Sequence, residues 1–239
     1  MKNLILLSIG LFLLISCKND LKHNYSKGFY LEGNIKNVND NRKVYLKIQE
    51  SNTIIPLDSA IIKNGKFIFN GIIERPVVYG VYIDSLQGVI GLFMENDSIR
   101  IDVDTNNLSN SKITGSKLNE QYLDFIKRSN QIVSKMNVHF PIFQKARSEN
   151  NVEKLNEINK KMRAINSENT QFALKYAKTH PDSYIAAFAL HSVLNDDTIP
   201  KDTIANIYNN FSEYVKKGDF AIEILFYIEE SNELNDIQN

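Results

Sequence analysis

The chain has 239 residues, with 28 Lys and Arg against 28 Asp and Glu, one cysteine and no tryptophan. So neutral a balance offers no electrostatic footprint for nucleic acid and no polybasic patch for lipid headgroups. The lone Cys17 excludes an intramolecular disulfide, a CxxC redox pair and a thiolate zinc cage.

Met1-Lys2-Asn3 is a short positive start to an apolar stretch, residues 4–15, broken only by Ser8 and Gly10. That is signal-peptide length, short of the ~20 apolar residues a spanning helix needs. It closes on Leu14-Ile15-Ser16-Cys17, which resembles a bacterial lipobox. The resemblance implies that residues 1–16 are a lipoprotein signal peptide, cut before Cys17, whose thiol carries a diacylglyceryl group. Each buried CH₂ of such chains contributes about 0.8 kcal/mol to anchoring. Residues 17–27 then read as a flexible polar tether. The expected address is the cell envelope, lipid-anchored at the outer membrane, with the periplasmic and surface faces both open.

Residues 28–115 read as strands. Phe29, Leu31, Gly33 and Ile35 alternate with Tyr30, Glu32, Asn34 and Lys36, and Val44, Leu46 and Ile48 alternate with Tyr45, Lys47 and Gln49. This period marks half-buried strands. A run at 54–62 meets Asn64-Gly65, the pair that suits a type I′ turn, and 66–70 returns from it. Further strands fall at 77–83, 89–94 and 98–103, with a tight turn at Asn96-Asp97. Strands this short and closely spaced predict an antiparallel β-sandwich or small barrel, with Pro56 and Pro76 at edges or strand starts.

At Ser116 the period changes, and residues 116–235 predict an α-helical bundle, giving an α+β chain overall. Ser116 is placed to cap a helix carrying Leu118, Tyr122, Phe125, Ile126, Ile132 and Val133, which Pro141 breaks or kinks. Next comes a heptad-like stripe of Leu155, Ile158, Met162, Ile165, Asn169, Phe172 and Tyr176. Asn169 reads as a satisfied core amide or a helix-end position. Pro181 sets this helix apart from one at 182–194, and Pro200 opens a helix running to Lys217. A last helix spans 219–235, with fraying expected after Asn232.

Candidate chemistry is sparse. His23, His139, His180 and His191 make no close metal spacing, and no GxSxG, P-loop or GxGxxG motif occurs. His180 fits a helix end, and His191 fits a core or interface. Asp102 and Asp104 are expected on one strand face, and Asp196-Asp197 in a loop, all as solvated turn acids. Tyr79 and Tyr82 fall on opposite faces of one strand. No catalytic residue, metal site or cofactor is expected. Asp-Ser/Thr-aliphatic recurs around Ser59, Ser85, Ser98, Thr198 and Thr203. This is similar to the O-glycosylation sequon of exported Bacteroidota proteins, although Asp-Ser and Asp-Thr also favour turns and caps.

The strand half carries, in order, Tyr30-Leu31-Glu32-Gly33-Asn34-Ile35, Val44-Tyr45-Leu46, Leu57-Asp58-Ser59-Ala60, Asn64-Gly65-Lys66-Phe67-Ile68-Phe69, Phe93-Met94-Glu95-Asn96-Asp97 and Ile113-Thr114-Gly115-Ser116. Together they resemble the N-terminal β domain, of unknown function, on thioredoxin-like lipoproteins of Bacteroidota. The resemblance covers residues 28–125 and continues loosely to 177–184, a segment that in those relatives leads to a thioredoxin fold with WCxxC. This chain has neither tryptophan nor a second cysteine, so their thiol–disulfide exchange is not expected of it.

These features predict a non-enzymatic, lipid-anchored binding or scaffold module, serving a separate thioredoxin-like partner or another envelope protein and no nucleic acid. A small-ligand receptor and a hydrolase with dispersed residues are the alternatives. The intact mass of protein from its native host should equal the chain from Cys17 onward plus the lipid, plus whole sugar units on the Asp-Ser/Thr sites. A mass equal to lipidated polypeptide alone eliminates the glycans, and a retained N-terminus eliminates the lipid.

Overall fold

The computed structural model describes residues 28–50 and 53–237. Cys17, with the expected signal peptide and tether, lies outside the described residues. Among the described residues eight strands form two four-stranded sheets: β1 (Phe29–Asn34), β2 (Lys43–Glu50), β3 (Thr53–Ile61), β4 (Lys66–Gly71), β5 (Val77–Ile83), β6 (Ile90–Met94), β7 (Ser98–Asp102) and β8 (Lys112–Thr114). The orders are β4-β1-β7-β8 and β3-β2-β5-β6. The sheets pack face to face as an open sandwich, so the barrel alternative is set aside.

Side-chain alternation sets the faces as the sequence implied. Leu31, Phe67, Phe69, Ile99 and Ile101 from one sheet meet Val44, Leu46, Val81, Leu92 and Met94 from the other, all almost fully buried. Gly33 lies opposite Phe67, and a Cβ there would stand 1.9 Å from the Phe67 ring, so the glycine makes room for the aromatic side chain.

Two features depart from the expectation. The β1–β7 pair is parallel within an otherwise antiparallel fold. Alternation cannot reveal this, because pairing direction is fixed by long-range connections. Asn64 and Gly65 do take φ of 52° and 68°, as a type I′ turn requires. Yet the strands they join separate at once, β3 entering one sheet and β4 the other. Pro56 sits on edge strand β3, beside a register shift opposite Leu46 and Lys47, where no ladder donor is needed. Pro76 directly precedes β5.

The helical region comprises α1 (Lys117–Val133), a 3-10 turn (Ser134–Val138), α2 (Phe140–Ser148), α3 (Val152–Thr179), α4 (Tyr184–His191), α5 (Lys201–Asn209), α6 (Glu213–Lys216) and α7 (Asp219–Ile237). Pro141 starts α2 rather than kinking α1, because proline costs nothing in a first helical turn where the N–H has no partner. The helix expected from Pro200 to Lys217 is broken at Asn210-Phe211-Ser212, where Phe211 turns into the core. The last helix continues to Ile237, past the point where fraying was expected.

Along α3 the buried positions are Ile158, Ile165, Thr170, Ala173 and Ala177. The heptad stripe is followed at first and then left by one residue, as a 3.6-residue helix drifts from a 3.5-residue repeat. Phe172 and Tyr176 therefore swing towards α1, where their rings lie 5.2 and 5.1 Å from Phe125. Asn169 is a satisfied amide, accepting from the Ser129 hydroxyl at 2.9 Å. Helix α4 is buried almost all round, the pattern of a central core helix.

The two regions meet at β6, an edge strand. Its Leu92 and Met94 side chains enter the sandwich core, whereas Phe93 points into the helical core. There Phe93 packs edge-on against Tyr122 and Phe188, with centroids 5.3 and 6.1 Å away. The open edge at Phe93 is closed by Asn119 of α1, which is fully buried. Asn119 Oδ1 accepts from Phe93 N–H at 2.9 Å, and Nδ2 donates to Phe93 O at 2.7 Å. The amide thus supplies both bonds that another strand would. Asn96 does the same for Ile73, at 3.0 and 2.6 Å. Arg75, just before β5, reaches Asp219 at the start of α7 at 2.5 Å.

Replacing Asn119 with alanine leaves two buried backbone groups of Phe93 without partners, a cost of about 3 kcal/mol. Equilibrium urea unfolding of Asn119→Ala should show that loss as a lower midpoint; a change well under ~1 kcal/mol would mean the clasp contributes little.

Candidate functional site

The same clasp shapes the main cavity. Ser116 caps α1 by accepting from Asn119 N–H at 3.0 Å and from Asn119 Nδ2 at 2.9 Å. Its own hydroxyl donates to Glu95, the residue after β6, in a very short bond. Between this joint, the end of α3 and the start of α4 lies a cavity of ≈ 410 Å³. Leu118, Pro181, Tyr184 and Tyr214 supply apolar wall, and Glu95, Lys117, Gln121, His180 and Asp182 supply polar groups. Tyr184 and Tyr214 pack edge-on at 4.6 Å. A second hollow of ≈ 330 Å³ continues along α1 past Glu120, Asp124 and Arg128, and shares Lys117, Gln121 and His180 with the first.

His180 is held from behind. Its ring stacks on Tyr176 at 4.2 Å and 11°, and Nδ1 lies 3.0 Å from the Tyr176 carbonyl and 2.9 Å from Thr179 Oγ1. The carbonyl can only accept, so Nδ1 carries the hydrogen and the neutral ring has its lone pair on Nε2. Thr179 and Tyr176 thereby hold the ring plane and set the tautomer. Ser183 caps α4, accepting from Ile185 N–H at 3.2 Å, and donates to Gln121 Oε1 at 2.8 Å. It also bonds the Tyr176 side chain, whose phenol burial nonetheless pushes above the usual range. Gln121, Ser183 and Tyr176 therefore form a fixed polar wall.

From sequence, His180 reads as a helix-end residue, and the bond to the Tyr176 carbonyl matches that role. Nothing in the chain placed His180 beside Lys117 and Gln121, some sixty residues away. Asn119 was missed as well, although a polar side chain three residues after the Ser116 cap, among Leu118, Tyr122 and Phe125, was the available signal. His191 instead meets a carboxylate: its Nε2 lies 2.6 Å from Glu223 across α4 and α7, beside Phe220. It lines neither hollow.

The remaining expected positions stay apart. Strand β7 ends at Asp102, which accepts from Asn34 at 3.1 Å. Asp104 lies beyond the strand, where its carboxylate receives the N–H groups of Asn106 and Asn107. Tyr79 and Tyr82 do lie on opposite faces, but strand pairing sets Tyr82 against Tyr45, with the Lys47 ammonium over both rings at 4.6 and 5.1 Å. Ser59, Ser85, Ser98 and Thr198 are exposed, and Thr203 is half-buried in the first turn of α5. Ser59 lies inside β3 and Ser98 opens β7, and at each the preceding aspartate accepts the serine N–H at 2.7 Å. Among the described residues no cluster of three or more His, Cys, Asp or Glu is placed to hold a metal ion, and no helix is long and apolar enough to cross a membrane.

Residues 29–122 match the family described as Domain of unknown function (DUF4369). The match runs past the last strand into α1 and takes in Asn119 and Tyr122, so the first turns of that helix go with the sandwich. The rest of the helical region lies beyond it. No curated protein and no solved structure matches the chain.

Asp196 shows how the loop acids serve. Its carboxylate is held below the ordinary range, first by the Thr198 hydroxyl and then by the hydroxyl of Thr170 on α3 and the Thr198 N–H. The folded value lies below the unfolded one, so these bonds stabilise the fold at neutral pH and lose that effect as pH falls through the folded value. Thr170→Val should raise the Asp196 titration midpoint in NMR, and its stability deficit should shrink in acid. An unchanged midpoint would show that the Thr170 bond does not act on Asp196.

Proposed function

We propose that this protein is a lipid-anchored binding module of the cell envelope, held at the outer membrane through Cys17, with its recognition site in the junction cavity. The observation that carries this reading is the cavity itself: ≈ 410 Å³, walled by α1, the α3–α4 junction and Tyr214, with Glu95 reaching in from the sandwich and an apolar side facing polar groups. Its volume falls within the ~300–1,000 Å³ of ligand sites, and its lining is richer in polar groups than most. Lys117 and the Nε2 of His180 offer a cation and a hydrogen-bond acceptor, while Leu118, Pro181 and the Tyr184–Tyr214 pair offer contact area. The role in this reading is recognition, and the Ser183 hydroxyl is already committed to Gln121. A side chain or short segment of a separate envelope protein, such as a thioredoxin-like partner, is the occupant this reading favours, and a small amphipathic ligand is the alternative.

A photo-cross-linking residue at position 121 tests it in native envelope membranes. The expected outcome is one reproducible adduct, absent when the cross-linker stands at exposed position 160 on α3. Its mass distinguishes a protein from a small ligand. Repeated illumination with no consistent adduct at 121 overturns the assignment.

A further inference from the structure

We infer that the tip of the helical region, residues 133–148, is a second membrane contact that lies on an anionic bilayer surface. Helix α2 packs on α3 and the preceding 3-10 turn, through Phe143 and the buried Ala146. The rest of its apolar residues face outward. Val138 is 66% exposed, Phe140 55% and Ile142 43%, with Pro141 exposed between them. Contiguous exposed apolar residues of this kind mark an interaction site rather than a structural need.

The segment's own charged residues are basic, while acids stand at its borders. Between 133 and 148 the chain carries Lys135, Lys145, Arg147 and His139, and no acidic residue. Lys135 reaches back to Glu168 on α3, and Lys145 only loosely approaches Glu149 at 3.9 Å. Among the described residues Arg147 is in no ion pair, and Lys145 is free to turn from Glu149 towards a headgroup. Protruding apolar side chains rimmed by Lys and Arg fit the boundary between anionic headgroups and acyl chains. A protein partner is the weaker fit, since a stable interface needs ~800 Å² on each side and this tip is one nine-residue helix and a turn.

Reach agrees with the assignment, which rests on the proposed anchor at Cys17. The chain enters at the start of β1, where Tyr30 N–H donates to Asp97 O. Strand β8 ends beside the start of β7, so α1 sets out from that same end. Its 17 residues carry the tip about 25 Å away. Residues 17–27, fully extended, span about 36 Å, enough for lipid and tip to meet one bilayer.

The absence of tryptophan makes a clean test. Full-length protein carrying Phe140→Trp, purified from its host's membranes, is reconstituted in phosphatidylglycerol vesicles containing brominated lipid, beside a control with Phe226→Trp on α7, a residue 64% exposed. Emission from the indole introduced by Phe140→Trp should shift to the blue and be quenched, while the control stays in water. Adding Lys145→Glu and Arg147→Glu should abolish the quenching. Flotation with neutral phosphatidylcholine vesicles reads the lipid anchor separately. Protein that floats while Phe140→Trp remains unquenched overturns the tip and leaves the anchor standing. Quenching on phosphatidylglycerol without flotation on phosphatidylcholine supports the tip and overturns the anchor. A blue shift without quenching means that protein covers the tip, and overturns it too.

Discussion

A sandwich edge must either pair or be covered, and here one buried asparagine meets that constraint. Asn119 gives Phe93 the donor and acceptor of a missing neighbouring strand, while belonging to a helix. The bond pattern of a sheet is thereby extended by a side chain, and α1 is fixed against β6 in a single register. Because Leu92 and Met94 must face inward, alternation turns Phe93 outward, directly into the space that α1, α4 and α7 enclose. One strand thus serves two cores.

The cavity follows from that joint. Ser116 ends the sandwich, caps α1 and binds Glu95, so the start of α1 is held from three directions. The long α3 then returns along α1 and delivers Tyr176, Thr179 and His180 to the same place. Pro181 stops the helix there, Ser183 begins α4, and Gln121 receives the Ser183 hydroxyl. Rigid elements hold each wall, so the cavity keeps its shape with nothing bound. At the opposite end of α1 the constraint relaxes. There α2 is secured by a narrow strip of contacts, and its outward apolar residues are left for solvent or for the proposed lipid surface.

Much of this was legible in the chain. Alternation marked nearly every strand, because a half-buried strand can be written in few other ways. Asn64-Gly65 marked its turn, Ser116 its cap, and the change of period at 116 the boundary between strands and helices. What failed did so for identifiable reasons. The parallel β1–β7 pair and the passage of β3 and β4 into different sheets depend on contacts far apart in sequence. The break at Phe211 depends on space in the helical core. The buried stripe of α3 drifted because no supercoiled partner holds it to a 3.5-residue repeat. At the site, His180 could be read as a helix end, but its company could not be read at all.

Local period and composition were enough to specify an α+β chain with one cysteine, after an apolar stretch, and the faces each strand and helix would bury. Contacts between distant parts of the chain were needed for Asn119 to complete a sheet edge, for Phe93 to leave one core for another, and for Lys117, Gln121 and His180 to share a cavity. Local patterning fixes which side of an element is apolar. Which element it meets is decided by the pairing of backbone groups and the filling of volume across the whole chain.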